Sequence, residues 1–175
     1  ALTSFEEKTG KKGVMISAVD LLKGIAVGAD MDRIIVEGAN GGLHTNYEGK
    51  AQAAIDALTR DGYDFAYIHV EAPDEMGHQG SMKDKVQAIE WLDEKVIAKV
   101  VKGLEDSGEE FRMLILPDHP TPIRARTHTS DPVPYLLFDS TKVVKGQKAY
   151  NEKNAKADGV LWEEGYRLID HLLGE

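Results

Sequence analysis

At 175 residues the chain is long enough for one ordinary domain with its own core. Its 42% hydrophobic and 29% charged content excludes a disordered chain, and its formal net charge of -9 argues against a nucleic-acid-binding surface. No apolar run approaches the roughly 20 residues that cross a bilayer, and the absence of cysteine removes disulfides and thiolate metal sites.

The elements follow in chain order. The polar, charged first residues do not resemble a signal peptide, so a cytoplasmic protein is expected. The first residue is not Met, which suggests a processed chain or a piece of a longer one. Residues 13–28 read as a strand on Val14-Met15-Ile16 passing into a short helix, with Ala18, Leu21, Leu22 and Ile25 at helical spacing. A second strand is expected over 33–38, on Ile34-Ile35-Val36, and Gly38-Ala39-Asn40-Gly41-Gly42 reads as a turn. That run lacks the spacing and the Lys-Ser/Thr of a P-loop. Residues 45–60 predict a helix ended by Asp61-Gly62, and 65–70 a buried strand. Ser81, with Asp84 three residues on, starts a long helix whose apolar stripe is Val86, Ile89, Trp91, Leu92, Val96, Val100 and Leu104. Ser107-Gly108 ends it. Buried strands are expected over 113–116 and 133–138, a polar loop over 141–157, and a last helix marked by Leu161, Leu168, Ile169 and Leu172.

Continuous apolar strands alternating with helices predict an α/β fold, a largely parallel sheet with helices on both faces. In such folds ligands gather at the carboxyl ends of the strands. Two donor groups fall there: Asp74 and His78 after one strand, Asp118 and His119 after another. A third, His128, lies between threonines ahead of Asp131-Pro132. Asp74 and His78 are four apart, which on a helical turn puts both on one face. Asp118 and His119 are adjacent and would diverge in a strand, so they share a site only where the backbone turns, as Pro117 and Pro120 suggest. Carboxylate and neutral imidazole together suit Zn, Mn, Fe or Co, whereas carboxylate alone suits Mg or Ca. The other histidines have plainer readings. His69 reads as a hydrogen-bonded core group or a support for the site, His44 follows the glycine turn and is placed to face the site, and His171 is expected to be half-exposed on the last helix.

These segments resemble the archaeal-type cofactor-independent (2,3-bisphosphoglycerate-independent) phosphoglycerate mutases of the alkaline phosphatase superfamily. The resemblance runs through Ile16-Ser17-Ala18-Val19-Asp20-Leu21-Leu22-Lys23-Gly24-Ile25, Asn46-Tyr47-Glu48-Gly49-Lys50-Ala51, and His69-Val70-Glu71-Ala72-Pro73-Asp74-Glu75-Met76-Gly77-His78. It continues in Pro117-Asp118-His119-Pro120-Thr121-Pro122 and in His128-Thr129 with Asp131-Pro132-Val133-Pro134. It implies a two-metal site binding divalent ions, Mn first and Zn, Co or Mg as alternatives. Asp74, His78 and His128 would hold one ion, Asp118 and His119 would supply two ligands of the other, and Lys23 would lie near the transferred phosphoryl group. It also implies a glycolytic isomerase that moves phosphate between the 3- and 2-hydroxyls of glycerate through a phosphoserine intermediate.

Family members are much longer and carry an inserted domain, and their nucleophilic serine and a further Asp ligand lie in the N-terminal part. None of Ser4, Ser17, Ser81, Ser107, Ser130 and Ser140 matches the nucleophile's context, and His44 stands where many relatives would carry an acidic residue. The expectation is therefore that residues 1–175 are the C-terminal part of the catalytic domain, inactive alone, with the N-terminal part and the inserted domain absent. The expected substrate of the parent is phosphoglycerate, with no nucleic-acid or membrane partner. Two other readings use the same residues: another phosphatase or phosphomutase of the superfamily, or a non-catalytic module that keeps the fold.

Overall fold

A computed structural model of the chain describes residues 2–146 and 148–174. The chain forms two compact units: one runs to Glu109 and takes in Thr121–Thr127, and the other comprises Glu110–Pro120 and the chain from His128 onward.

The first unit is built around β1 (Gly13–Ile16), whose four residues are all buried. β1 pairs in parallel with β2 (Asp32–Arg33) on one side and β3 (Phe65–Ile68) on the other, giving the order β2-β1-β3. Parallel neighbours need crossovers, which α2 (Asp20–Gly28) and α3 (Tyr47–Thr59) provide. A short α1 (Phe5–Thr9) precedes β1 and is capped by Ser4, and Phe5 stacks on Phe65 with ring centroids 4.9 Å apart. The parallel sheet with its helices is thus the α/β arrangement expected from the apolar runs.

The strand expected over 33–38 is cut to Asp32–Arg33. Ile34 still donates its amide to the Met15 carbonyl, but β1 ends at Ile16 and offers nothing further to pair with. The chain then turns at Gly38, whose φ of 73° suits glycine, and the Asn40 side chain accepts the Gly42 amide. β3 is half-exposed rather than buried: it pairs only with β1 among the described residues, and Tyr67 keeps 38% of its surface.

After β3 come α4 (Ala72–Gln79) and then one long helical run. This run comprises α5 (Met82–Leu92), a π-helical turn at Asp93–Ile97, and α6 (Ala98–Ser107). Ser81 caps it as expected, accepting the Asp84 amide and donating its hydroxyl to the Asp84 carboxylate, and Gly108 ends it with φ 77°. The expected stripe is broken. Val96, Val100 and Leu104 are buried, whereas Val86 and Ile89 are each 50% exposed. A π turn takes up one extra residue, which rotates the following face by about 100° relative to a regular helix. The half of the stripe before the turn therefore no longer lines up with the half after it. Gly103 lets α6 lie close to α3, since a Cβ there would meet the Ile55 side chain 2.6 Å away.

The second unit holds β4 (Arg112–Ile115) and β5 (Leu136–Asp139), paired antiparallel. The expected strands are present but partly exposed, and their pairing departs from the parallel rule within this unit. Phe111 and Phe138 stack at 5.6 Å, and α8 (Leu168–Leu173) packs on β4. The stretch expected to be loop contains α7 (Glu152–Asp158), capped by Asn151, whose side chain accepts the Asn154 amide. This helix is polar all round, so apolar periodicity gave no sign of it. Leu161 lies outside the last helix, which a 3-10 turn at Gly165–Arg167 introduces. Among the described residues no helix is long and apolar enough to cross a membrane.

Candidate metal-binding sites

Asp74 and His78 sit on α4 in the first unit. Pro73 sits in the first turn of this helix and Gly80 ends it with φ 72°, so the four-residue spacing falls on true helical geometry. The Asp74 Oδ2 and His78 Nε2 atoms are 3.4 Å apart, and both side chains are partly buried. Each is held from behind. The Thr121 hydroxyl donates to the Asp74 Oδ1, and the Lys85 ammonium donates to the Thr121 carbonyl at 2.6 Å. His78 Nδ1 lies 3.0 Å from the Arg126 carbonyl. A carbonyl only accepts, so Nδ1 carries the proton, and in the neutral ring Nε2 then carries the lone pair on the Asp74 side. A backbone acceptor behind an imidazole in this way is the usual support of a metal-ligating histidine. Arg126 adopts φ 53°, a left-handed conformation uncommon for a side-chain-bearing residue, in the turn that brings its carbonyl to His78.

In the second unit the chain bends at Asp118-His119 after β4. The Asp118 Oδ1 accepts the His119 amide at 3.0 Å, and Oδ2 lies 3.4 Å from His119 Nε2. The imidazoles of His119 and His128 are stacked with centroids 3.6 Å apart, and the Thr129 amide donates to the Pro120 carbonyl. Beside them is a cavity of about 500 Å³ whose lining includes Asp118, His119, Asp131, Tyr135, Trp162 and Tyr166. Its wall is tied together by the Trp162 indole donating to the Tyr135 hydroxyl, which in turn donates to the Val160 carbonyl.

Oxygen and nitrogen ligands at about 2.1 Å from one ion stand about 3.0–3.4 Å apart in octahedral or tetrahedral arrangements. The 3.4 Å separations within both Asp/His pairs suit that spacing. The donor sets therefore suit a divalent ion.

Lys23 lies on α2 with its ammonium 3.1 Å from the Asp20 carboxylate, a surface pair one turn apart. His69 is partly buried and hydrogen-bonded: Ser17 Oγ lies 3.2 Å from its Nδ1, and its amide donates to the Ile16 carbonyl. His44 packs against Trp91, with centroids 5.6 Å apart, and His171 against Trp162 at 4.6 Å. The serines have local tasks. Ser4 and Ser81 cap helices, Ser17 meets His69 and accepts the Val19 amide, Ser107 donates to Leu104, and Ser140 accepts the Phe111 amide. Ser130 lines the cavity of the second unit.

Sequence reasoning missed Thr121, Lys85 and the Arg126 carbonyl. It also passed over Lys50, a fully buried lysine whose ammonium donates to the His69 carbonyl at 3.0 Å. Burial pushes its pKa down to about 8 despite the opposing pull of Glu71, and burial with the nearby Asp74 and Glu75 charges raises that of Glu71. Desolvation outweighs mutual attraction at both ends of this pair.

Residues 1–165 match the family described as the Metalloenzyme superfamily. The chain belongs to that superfamily. A 2,3-bisphosphoglycerate-independent phosphoglycerate mutase of Methanosarcina barkeri is 51% identical over 98% of this chain. The chain spans 43% of that relative's length. Among solved structures, a Pyrococcus horikoshii protein superposes with a TM-score of 0.87 at 29% identity, over 99% of this metalloenzyme chain and 51% of its own. A cofactor-independent phosphoglycerate mutase from Thermoplasma acidophilum gives 0.67 at 22% identity, over 99% of this chain and 39% of its own, which shows a shared fold.

Proposed function

We propose that this chain is part of the catalytic domain of a metal-dependent phosphoglycerate mutase that interconverts 3- and 2-phosphoglycerate. Asp74, His78 and His128 would serve one divalent ion, and Asp118 and His119 a second, with Mn as the first choice. The observation that carries this reading is the Asp74–His78 pair on α4, braced by Thr121 and the Arg126 carbonyl, in a chain 51% identical to a protein of that name. Two divalent cations roughly 3.5–4 Å apart supply Lewis acidity and stabilise charge in an in-line phosphoryl displacement. The chain's own contribution is to hold carboxylates ionised and imidazoles neutral in fixed orientation, with Lys23 offering a cation toward the phosphoryl group. The serine that accepts the phosphoryl group would come from outside these 175 residues, in keeping with the local tasks of the serines present.

Titrating the chain with Mn(II), followed by electron paramagnetic resonance, tests the ligands. His78→Ala and His128→Ala should each weaken binding, and unchanged affinity in both removes the assignment. Clear turnover of 3-phosphoglycerate by this chain alone with Mn would overturn the external nucleophile.

A further inference from the structure

We propose that Lys50 is a positioning residue for α4, fixing the corner between β3 and α4 so that Asp74 and His78 are presented in register. This rests on the reading of Asp74 and His78 as metal ligands. Lys50 lies in the first turns of α3, 0% exposed, at a position where an aliphatic side chain would fill the same volume at no desolvation cost. What an aliphatic side chain cannot do is donate. The Lys50 ammonium reaches the carbonyl of His69, the residue just after β3, whose own amide makes the last bond to β1 through Ile16.

Two residues later Glu71 occupies the cap position of α4. Its side chain makes no capping bond, while its carbonyl accepts the amides of Asp74 at 2.9 Å and Glu75 at 3.1 Å. The Glu71 carboxylate is turned instead toward Gly41, where it lies so close that a Cβ would collide with it, and its charge acts on Lys50. The buried ammonium thus bonds the residue that ends the β3 side of the turn, while the Glu71 charge on the helix side acts on it from nearby. From Glu71 the helix has only three residues to travel to Asp74 and seven to His78. A small rotation at the corner would therefore move both donor atoms relative to Thr121 and the Arg126 carbonyl, which hold them from behind.

The test is Lys50→Met, which keeps length and apolar bulk but cannot donate. Two readouts are taken on the 175-residue chain: amide hydrogen exchange, and Mn(II) affinity by electron paramagnetic resonance beside a His78→Ala control. The expected result is a loss of protection of about tenfold or more at the Asp74 and Glu75 amides, with Val100 and Leu104 unchanged, and Mn(II) affinity down about tenfold, as for other residues that orient ligands. A uniform loss of protection across the first unit would make Lys50 a plain stability residue and overturn the proposal, as would unchanged protection at the corner. If the parent chain and His78→Ala bind Mn(II) equally, the ligand reading falls while the exchange pattern still decides the role of Lys50. Should Lys50→Met fail to fold, Lys50→Gln, which keeps a polar end but is too short to reach the His69 carbonyl, carries the same test. It is expected to loosen the same amides, and intact protection there would overturn the proposal.

Discussion

Replacing Lys50 by Met should change the pH dependence of stability in a direction set by burial. In the folded chain the ammonium titrates near 8 rather than its ordinary 10.5, because burial disfavours the charge more than Glu71 favours it. The unfolded chain therefore binds more protons than the folded one between these values, and stability rises with pH across that window. Below the folded value the full cost of the buried charge is present, and above the unfolded value it is gone. The separation corresponds to about 3 kcal/mol in all, of which about 2 kcal/mol should appear between pH 8 and pH 10. Urea unfolding of parent and variant, followed by circular dichroism at several pH values across this range, isolates the contribution, since other groups titrate in both proteins. The parent should gain about 2 kcal/mol relative to Lys50→Met over that interval. Parallel stability curves would refute a buried, charge-disfavouring site for this lysine. Stability at neutral pH alone is a poorer probe, because relief of desolvation and the orphaned His69 carbonyl act in opposite directions.

Three further outcomes follow from the packing. Ile16 is fully buried on the central strand, so Ile16→Ala should cost about 3 kcal/mol in urea unfolding, and a loss below about 1 kcal/mol would contradict a packed β1. Ser81→Ala should lower stability by about 1 kcal/mol and Ser81→Gly by only a few tenths, a contrast that thermal unfolding resolves and that equal losses would deny. The Thr141 hydroxyl and amide, then Arg112, hold the Asp139 carboxyl down to about 2. Its favourable contribution is present above the ordinary value of 3.8 and is lost as pH falls toward 2. Thr141→Val should move the Asp139 titration upward when followed by carbon-detected NMR, and an unmoved midpoint would rule out the hydroxyl as the main cause.

Much of the framework was legible from short-range signals. Val14-Met15-Ile16, the helix over 47–59, the Ser81 cap and the Gly108 stop depend on neighbours within a turn or a strand length, so each is written where it acts. The same holds for the Asp74 and His78 spacing on α4 and for Asp118-His119 after β4, which could be picked out with no knowledge of the fold.

What the tertiary structure alone decided depends on partners far apart in the chain. Lys50 meets the His69 carbonyl 19 residues away, Thr121 reaches Asp74 across 47, and His78 finds the Arg126 carbonyl across 48. The proton placement on His78 follows from a backbone oxygen, which no side-chain pattern encodes. The antiparallel pairing of β4 with β5 and the exposure of Val86 and Ile89 are likewise products of packing. An apolar run marks a strand without naming its neighbour, and a single π turn rotates a helical stripe that is continuous in the sequence. The sequence by itself thus determined where carboxylate and imidazole donors stand in the chain and which local elements carry them, because residue type and local spacing settle that. Only the fold decided what braces them, because bracing is a matter of distance in space.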